Sequence, residues 1–365
     1  MIKDGKFGVH ETIALLTITI SAKVFFSSPS IVAAKVGTAG WYMTLISGFV
    51  AFLATVLLIR LLSLYPNKTL MEIYEIVYGK AVGKILSFIL FASILATVAA
   101  NSREFIEIMK VYDLPQSPPS YLLILLFLVV GVLAYWGLET IARFSKLMGF
   151  ILLLAYISVL ALSLKLYETH RLFPILGYGL ETTFLTGMQR SSAYGEIIII
   201  GVIIGSLHGI KHAKKAAYLS LALSVSIIST ALLAFTLAFP YFTGEEITAP
   251  IYLMVTLIEY GEFIQRIEPI FFFLWNFSTV ISIAVLFYVL VILYAYIFEL
   301  DDKRPIIIPL GIIVIFLALI PQNIIQVTVG IVNMIRSYGW AFYFIPPVVT
   351  LVVAKITKRY GGRTQ

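Results

Sequence analysis

Phe25-Phe26-Ser27-Ser28-Pro29-Ser30 places a proline and three serines within an apolar segment of about residues 9–34. A helix that crosses a hydrocarbon core of about 30 Å needs roughly 20 residues, so this segment is long enough to span a membrane. Pro29 removes one hydrogen bond from such a helix and clashes with the preceding turn. In lipid, an interruption of this kind persists only where protein or a water-filled cavity surrounds it. The stretch therefore predicts a membrane helix that is broken inside the protein.

A second interruption lies in the apolar segment of about residues 184–208, whose polar centre is Ser191-Ser192-Ala193-Tyr194-Gly195-Glu196. A proline kink and a glycine packing face are common in membrane helices and need no function. Corresponding interruptions in two halves of a chain also point to a midplane binding site in an inverted-repeat transporter fold. The interrupted segments are the first and sixth of the ten apolar segments given below, so they occupy the same place in two halves of five. This correspondence favours a binding site.

Apolar segments recur along the whole chain, in which 60% of the 365 residues are hydrophobic and 12% are charged. Soluble domains carry about twice that charged fraction. Ten segments are long enough to span a membrane: about 9–34, 40–64, 83–107, 120–138, 144–167, 184–208, 215–240, 268–298, 305–321 and 338–357. The prediction is an all-α, polytopic membrane protein: one transmembrane domain over residues 1–365, with repeats of about 9–167 and 184–357.

The distribution of basic residues predicts the orientation of these spans. Of the 26 lysines and arginines, 17 lie on the side of the termini, 8 lie on the opposite side, and Lys23 lies within the first span. The 8 include Arg103, Arg190 and Arg336. Because cytoplasmic loops are enriched in lysine and arginine, both termini are predicted to be cytoplasmic.

Lys23 and Glu196 are charged residues within predicted spans. Lys23 lies roughly 15 Å deep if the first span enters the membrane near Ile13, and a lysine there costs at least about 2.5–3.5 kcal/mol unless it is paired or hydrated. It either extends to the surface or faces the interior, where it pairs with Glu196 or a ligand carboxylate, or takes the position of a coupling cation. Glu196 either lies solvated at the outer mouth of the sixth span or binds a ligand amine or a proton beside Gly195.

Two polar stripes lie on the third and eighth predicted spans. Their members, three or four residues apart, are Thr97, Asn101, Glu104, Asn276, Thr279 and Ser282. Small polar residues in membrane helices usually form interhelical hydrogen bonds. The stripes are therefore either structural or part of the walls of a ligand site.

Several classes of function are excluded by missing motifs. The chain has no cysteine, and its four histidines have no partners at metal-ligand spacing, so no metal site and no cofactor are expected. The chain also lacks the glycine-rich phosphate loop of ATP-driven pumps. No nucleophile–base pair indicates an enzyme, and the dispersed basic residues do not indicate nucleic-acid binding.

Five motifs, in order along the chain, resemble the B subunits of bacterial spore germinant receptors. They are Ala39-Gly40-Trp41, Tyr65-Pro66-Asn67-Lys68-Thr69-Leu70-Met71-Glu72-Ile73, Tyr78-Gly79-Lys80-Ala81-Val82-Gly83-Lys84, Arg103-Glu104-Phe105-Ile106 and Arg266-Ile267-Glu268-Pro269-Ile270-Phe271 before Trp275. That family is a branch of the amino acid–polyamine–organocation superfamily. The resemblance implies two inverted five-helix repeats with broken first and sixth helices.

The resemblance also implies a function in the inner membrane of a spore. A B subunit recognises a small nutrient, typically an amino acid, and works with a larger A subunit and a lipoprotein C subunit. The superfamily site maps here onto residues of the two interruptions, with helices three and eight as walls. The implied binding residues are Ser27, Ser28, Pro29, Tyr194, Gly195 and Glu196, with Asn101, Asn276 and Thr279 in the walls. Lys23 departs from the superfamily pattern, and its depth in the first span predicts that it organises the charge of the site.

Two functions fit these features. The first is a ligand-sensing subunit that signals through partner subunits. The second is a stand-alone, proton- or cation-coupled amino-acid transporter of the same superfamily. Both need the same binding site, and they differ in whether the cavity opens to both sides of the membrane.

Overall fold

The computed structural model of the protein describes residues 5–259 and 267–357. Arg266, which belongs to one of the five motifs, lies outside the described residues. The terminal basic residues Lys3, Lys358, Arg359 and Arg363, which entered the charge count, also lie outside them.

The described residues form α-helices joined by short 3₁₀ segments, with no strand among them. The helices of the first half are α1 (Val9–Ser21), α2 (Ser28–Val36), α3 (Gly40–Leu64), α4 (Leu70–Tyr78), α5 (Lys80–Tyr112), α6 (Pro119–Trp136) and α7 (Leu138–Leu162). Those of the second half are α8 (Leu180–Gln189), α9 (Ile199–Ile203), α10 (Ile210–Ala238), α11 (Tyr241–Gly244), α12 (Pro250–Thr256), α13 (Glu268–Ile297), α14 (Ile307–Leu319) and α15 (Asn333–Thr357).

Among the described residues, seven helical stretches are long and apolar enough to cross a membrane. They are Ser28–Leu64, Lys80–Tyr112, Pro119–Trp136, Leu138–Leu166, Ile210–Ala238, Glu268–Ile297 and Gln326–Thr357. The helix α14 has 13 residues, and at a rise of 1.5 Å per residue it is too short to cross about 30 Å of hydrocarbon by itself. The molecule is therefore a multi-pass membrane protein with an all-helical fold.

The interruption predicted at Pro29 separates α1 from α2. After α1, the 3₁₀ segment Ala22–Phe25 leads to extended backbone at Phe26 and then to the first turn of α2. Proline is well placed there, because the first turn of a helix leaves its N–H groups without intrahelical partners. The first interruption is thus an end and a new beginning of a helix, rather than a kink.

The second interruption is a 3₁₀ segment of nine residues, Arg190–Ile198, between α8 and α9. A run of this length is unusual, because 3₁₀ hydrogen bonds are poorer than α-helical ones and side chains three residues apart eclipse. It covers all six residues of the polar centre seen in the sequence.

The long helix α13 forms the centre of the bundle. Its residues from Ile281 to Val291 are all buried, as expected for a helix that is apolar on every side and enclosed by others. It packs against α1, α5, α6 and α7, while α10 packs against α1 and α3. The 3₁₀ segment Arg190–Ile198 packs in turn against α1, α3 and α15, so both interruptions lie in the interior.

One end of α5 is joined to the end of α13 by exposed charges. Lys80 and Lys84 lie 2.5 Å and 2.6 Å from Glu299. Hydrogen bonds from the two ammonium groups lower the pKa of Glu299 to about 2. This carboxylate therefore stays ionised at any physiological pH.

Candidate functional site

The two interruptions meet through Lys23, which is 4% exposed. Its ammonium Nζ donates to the carbonyl oxygen of Ala193 and to both carboxylate oxygens of Glu196, each at 2.6 Å. Of the partners considered from the sequence, the structure places Glu196 beside the lysine. The side chain does not extend to the membrane surface. The bond to Ala193 also satisfies a carbonyl in the irregular backbone of the second interruption, which a buried position requires.

Glu196 is buried, at 1% exposure, and does not lie at a solvated mouth. Besides Lys23, it accepts a bond from Arg336, whose Nη1 lies 3.3 Å from Glu196 Oε1. The other end of the guanidinium, Nη2, lies 3.4 Å from Asn101 Oδ1. Two cations therefore surround one carboxylate, and α15 and α5 are joined to the second interruption.

The first interruption is held by Glu104 on α5. Its Oε1 accepts from the backbone N–H of Ser27 at 3.1 Å and also from the Ser27 hydroxyl. The N–H at the start of α2 has no partner within the helix, so this carboxylate serves as its cap. The remaining residue of the stripe on α5 is Thr97, whose hydroxyl oxygen lies 2.8 Å from the hydroxyl oxygen of Tyr343. All three residues of the stripe on α5 therefore contact the interruptions or α15.

Gly195 leaves room for the ring of Tyr343. A Cβ at this position would lie 2.4 Å from Cδ2 and 2.9 Å from Cγ of that ring. The neighbouring Ser192 donates its hydroxyl to the carbonyl oxygen of Arg336 at 2.5 Å. The second interruption is thus packed tightly against α15.

A small cavity of about 20 Å³ lies between the two interruptions. Its polar lining includes Lys23, Ser28, Arg190 and Tyr194. A volume of this size holds about one water molecule. A ligand as large as an amino acid would fit in this cavity only if α2 and the 3₁₀ segment Arg190–Ile198 moved apart. The cavity marks the place where both interruptions border the same space.

Residues of the eighth predicted span lie at the edge of this arrangement. Asn276 Nδ2 donates to the carbonyl of Phe272 in its own helix and does not join the cluster. Thr279 Oγ1 and Trp275 Nε1 are buried and have no hydrogen-bond partner among the described residues. Pro29 and Tyr194 are also buried, and the Tyr194 hydroxyl donates to the carbonyl of Thr44 at 3.2 Å.

Three arginines that the charge count placed on the side opposite the termini are buried in the interior. Arg103, Arg190 and Arg336 are 3%, 3% and 2% exposed. They do not count toward either side: Arg103 and Arg190 lie inside the predicted spans 83–107 and 184–208, and Arg336 lies in α15, which begins at Asn333 after a π-helical stretch and not at residue 338. Arg103 pairs with Glu107 at 2.8 Å, away from the cavity.

Two of these arginines lie at the candidate site, and sequence reasoning missed them: Arg190 lines the cavity and Arg336 contacts Glu196. Arg190 immediately precedes the polar centre of the sixth span. Arg336 follows the largely apolar run 324–335, which signals membrane depth rather than a loop. This apolar run before the predicted start of the last span at residue 338 is the signal from which a buried position could have been recognised.

Comparison with known proteins gives the same picture of fold and family. The family model described as "Spore germination protein", named for a spore permease, matches residues 7–327. Three relatives from Bacillus subtilis strain 168 are similar. Spore germination protein A2 is 23% identical over 97% of both chains, and spore germination protein B2 is 21% identical over 75% of this chain and 74% of its own. Spore germination protein YndE is 26% identical over 47% of both chains.

The fold is that of a solved transporter. A Na⁺-coupled sialic acid symporter, in a substrate-bound outward-open state, superposes with a TM-score of 0.66 over 98% of this chain and 90% of its own, at 13% identity. At that identity the likeness establishes the fold alone. The family follows from the match over most of the chain, which also agrees with the five motifs. The chain belongs to the spore germination protein family of spore permeases.

Proposed function

We propose that this chain is the membrane subunit of a spore germinant receptor, and that it binds a small nutrient, an amino acid, between the interruptions of its first and sixth spans. It then signals through the A and C subunits of the receptor. Family membership supports the role in germination, and the transporter fold supports a small-molecule ligand. The observation that carries the proposal is the ion pair of Lys23 with Glu196, which joins the two interruptions beside a shared cavity.

This geometry couples ligand binding to shape. The cavity is too small for an amino acid, so a bound nutrient separates α2 from the segment Arg190–Ile198. Lys23, Glu104 and Arg336 connect that segment and α2 to α5 and α15. Movement at the site is therefore transmitted to α5 and α15, which carry exposed apolar residues such as Phe88 and Ile345.

The proposed architecture is ten spans in two inverted five-helix repeats, with both termini cytoplasmic and the protein in the inner membrane of the spore. Helices or interrupted helices lie at each of the ten predicted segments. When the three buried arginines are left out of the charge count, 17 basic residues lie on the side of the termini and five on the opposite side. The difference between the two sides is then larger.

The topology has a direct test because the chain contains no cysteine. Gln116 and Asp302 are exposed residues in connections after α5 and α13. We expect Gln116→Cys to react with an impermeant thiol reagent added outside the cell, and Asp302→Cys to react only after the membrane is opened. Labelling of both from the same side would contradict the proposed orientation.

Ser28→Leu tests the position of the binding site. Ser28 is half-buried and lines the cavity, so a leucine side chain fills the space that a ligand needs. We expect the thermal shift that amino acids give the purified wild type to disappear, with insertion and folding retained. Ser226→Leu on the exposed face of α10 is the matched control and should keep the wild-type response. Intact binding in Ser28→Leu would place the ligand elsewhere.

Transport by the isolated protein is the second candidate function, because the fold is that of a symporter. Uptake of labelled amino acids into proteoliposomes distinguishes the two. A sensing subunit binds the amino acid without accumulating it, whereas concentrative uptake by the chain alone would establish a transporter.

A further inference from the structure

Arg190 is a buried cation with few acceptors around it. Within the described part of the chain, its one hydrogen bond runs from Nη1 to Asn333 Oδ1 at a length of 3.4 Å. A guanidinium carries five N–H donors in a planar fork. Glu104 interacts with it electrostatically, but no carboxylate among the described residues is hydrogen-bonded to it, and a buried charge whose hydrogen-bonding capacity is unused is costly. Arg190 lines the cavity, so donors that the protein leaves unused border the space where a ligand enters.

The cluster as a whole has more positive than negative charge. Lys23, Arg190 and Arg336 are its cations, and Glu104 and Glu196 are its carboxylates, all of them buried. Arg103 and Glu107 form a separate pair that is neutral in sum. Ionised, the five groups leave an excess of one positive charge. Lys35, on the last turn of α2, is close enough to interact electrostatically with Arg190 and adds to that excess.

The negative charge of Glu196 is already compensated by the two cations that contact it. Both of its oxygens accept from Lys23 at 2.6 Å, and Arg336 approaches one of them. A ligand ammonium has to displace one of these cations to reach it. A ligand carboxylate at Arg190 displaces no hydrogen-bonded carboxylate of the described residues, because Glu104 acts on this arginine only through electrostatics.

We propose that Arg190 binds a carboxylate of the ligand, and that the ligand is a small molecule of net negative charge, in which carboxylates outnumber ammonium groups. This inference rests on the proposed function and narrows it. Acidic amino acids and simple hydroxy acids belong to this class, whereas sugars, nucleosides and amino-acid amides do not. A guanidinium suits a carboxylate because two parallel N–H donors match its two oxygens.

The test uses the full-length protein in lipid nanodiscs, with binding followed by calorimetry. The probes are L-aspartate, L-lactate, L-alanine and L-alaninamide, with glucose and inosine as uncharged compounds. We expect aspartate and lactate to bind more tightly than alanine, and alaninamide, glucose and inosine to give no signal. Binding of alaninamide, tighter binding of alanine, or no binding of any carboxylate would each overturn the inference.

Variants of Arg190 connect the binding to this side chain. Arg190→Gln should weaken carboxylate binding roughly 10- to 100-fold, and Arg190→Lys, which keeps the charge, should recover part of the loss. Arg103→Gln removes a buried arginine outside the cavity and should leave the affinity unchanged. Equal affinities in wild type and the folded Arg190→Lys and Arg190→Gln proteins would contradict the proposal. Tight binding of glucose or inosine would reject the carboxylate while the proposed nutrient site survived, and binding of no compound would reject both.

Discussion

Replacement of Glu196 by glutamine is expected to destabilise the folded protein by roughly 3–5 kcal/mol, because the loss of one partner of a buried ion pair leaves an uncompensated charge. Here two cations are affected, since Lys23 and Arg336 both lie against this carboxylate. Glutamine keeps the shape and removes the charge. The measurement is thermal unfolding of the purified protein in detergent. It is monitored as the loss of the monodisperse peak in size-exclusion chromatography after heating.

The double variant Lys23→Met/Glu196→Gln separates a coupled pair from two independent effects. Contacting charges typically show interaction energies of about 0.5–3 kcal/mol, so the double variant should be more stable than the sum of the single losses allows. Strict additivity would show that the two residues are not coupled. The exposed pair of Lys146 and Glu11, 2.6 Å apart, is the matched control, and Lys146→Met should cost no more than about 1 kcal/mol.

Gly195→Ala is expected to destabilise the protein by roughly 1–3 kcal/mol or more, as overpacking of a well-filled interior does. The new Cβ would lie 2.4 Å from the ring of Tyr343. That ring cannot turn away without losing the bond between its hydroxyl and Thr97. Gly195→Leu should in addition abolish ligand binding, because it pushes the second interruption away from α15.

Gly205→Ala provides the control within the same interrupted span. A Cβ there meets nothing within 4 Å, so the substitution should leave unfolding and binding near the wild type. The readouts are thermal unfolding for both alanine variants and calorimetry for the leucine variant. A Gly195→Ala protein as stable as Gly205→Ala would mean that the close packing against Tyr343 does not constrain the site.

The places where the helices break were predictable from the sequence. Pro29 and the run Ser191–Glu196 are polar or conformationally restricted residues inside apolar segments, and both features are local. The structure has a helix end at the first and a 3₁₀ segment at the second. The stripe on α5 was also recognised, because its spacing puts the three residues on one helix face.

The charge arrangement was only partly predictable. Lys23 and Glu196 were identified because a charged residue deep in an apolar segment requires a partner. Arg190 and Arg336 were counted on the side opposite the termini because each lies near the end of a predicted span, where an error of a few residues decides between solvent and interior. Asn276 was expected in a wall of the site, yet it bonds within its own helix.

The sequence by itself determined that the chain is a helical membrane protein with two interrupted spans, because hydropathy and helix breaking act over one or two turns. Only the tertiary structure decided that Glu196 pairs with both Lys23 and Arg336, 173 and 140 residues away along the chain. Such pairs depend on how each helix is rotated and where it ends. Packing of the whole bundle sets both, so the positive excess around the cavity became visible only in the folded molecule.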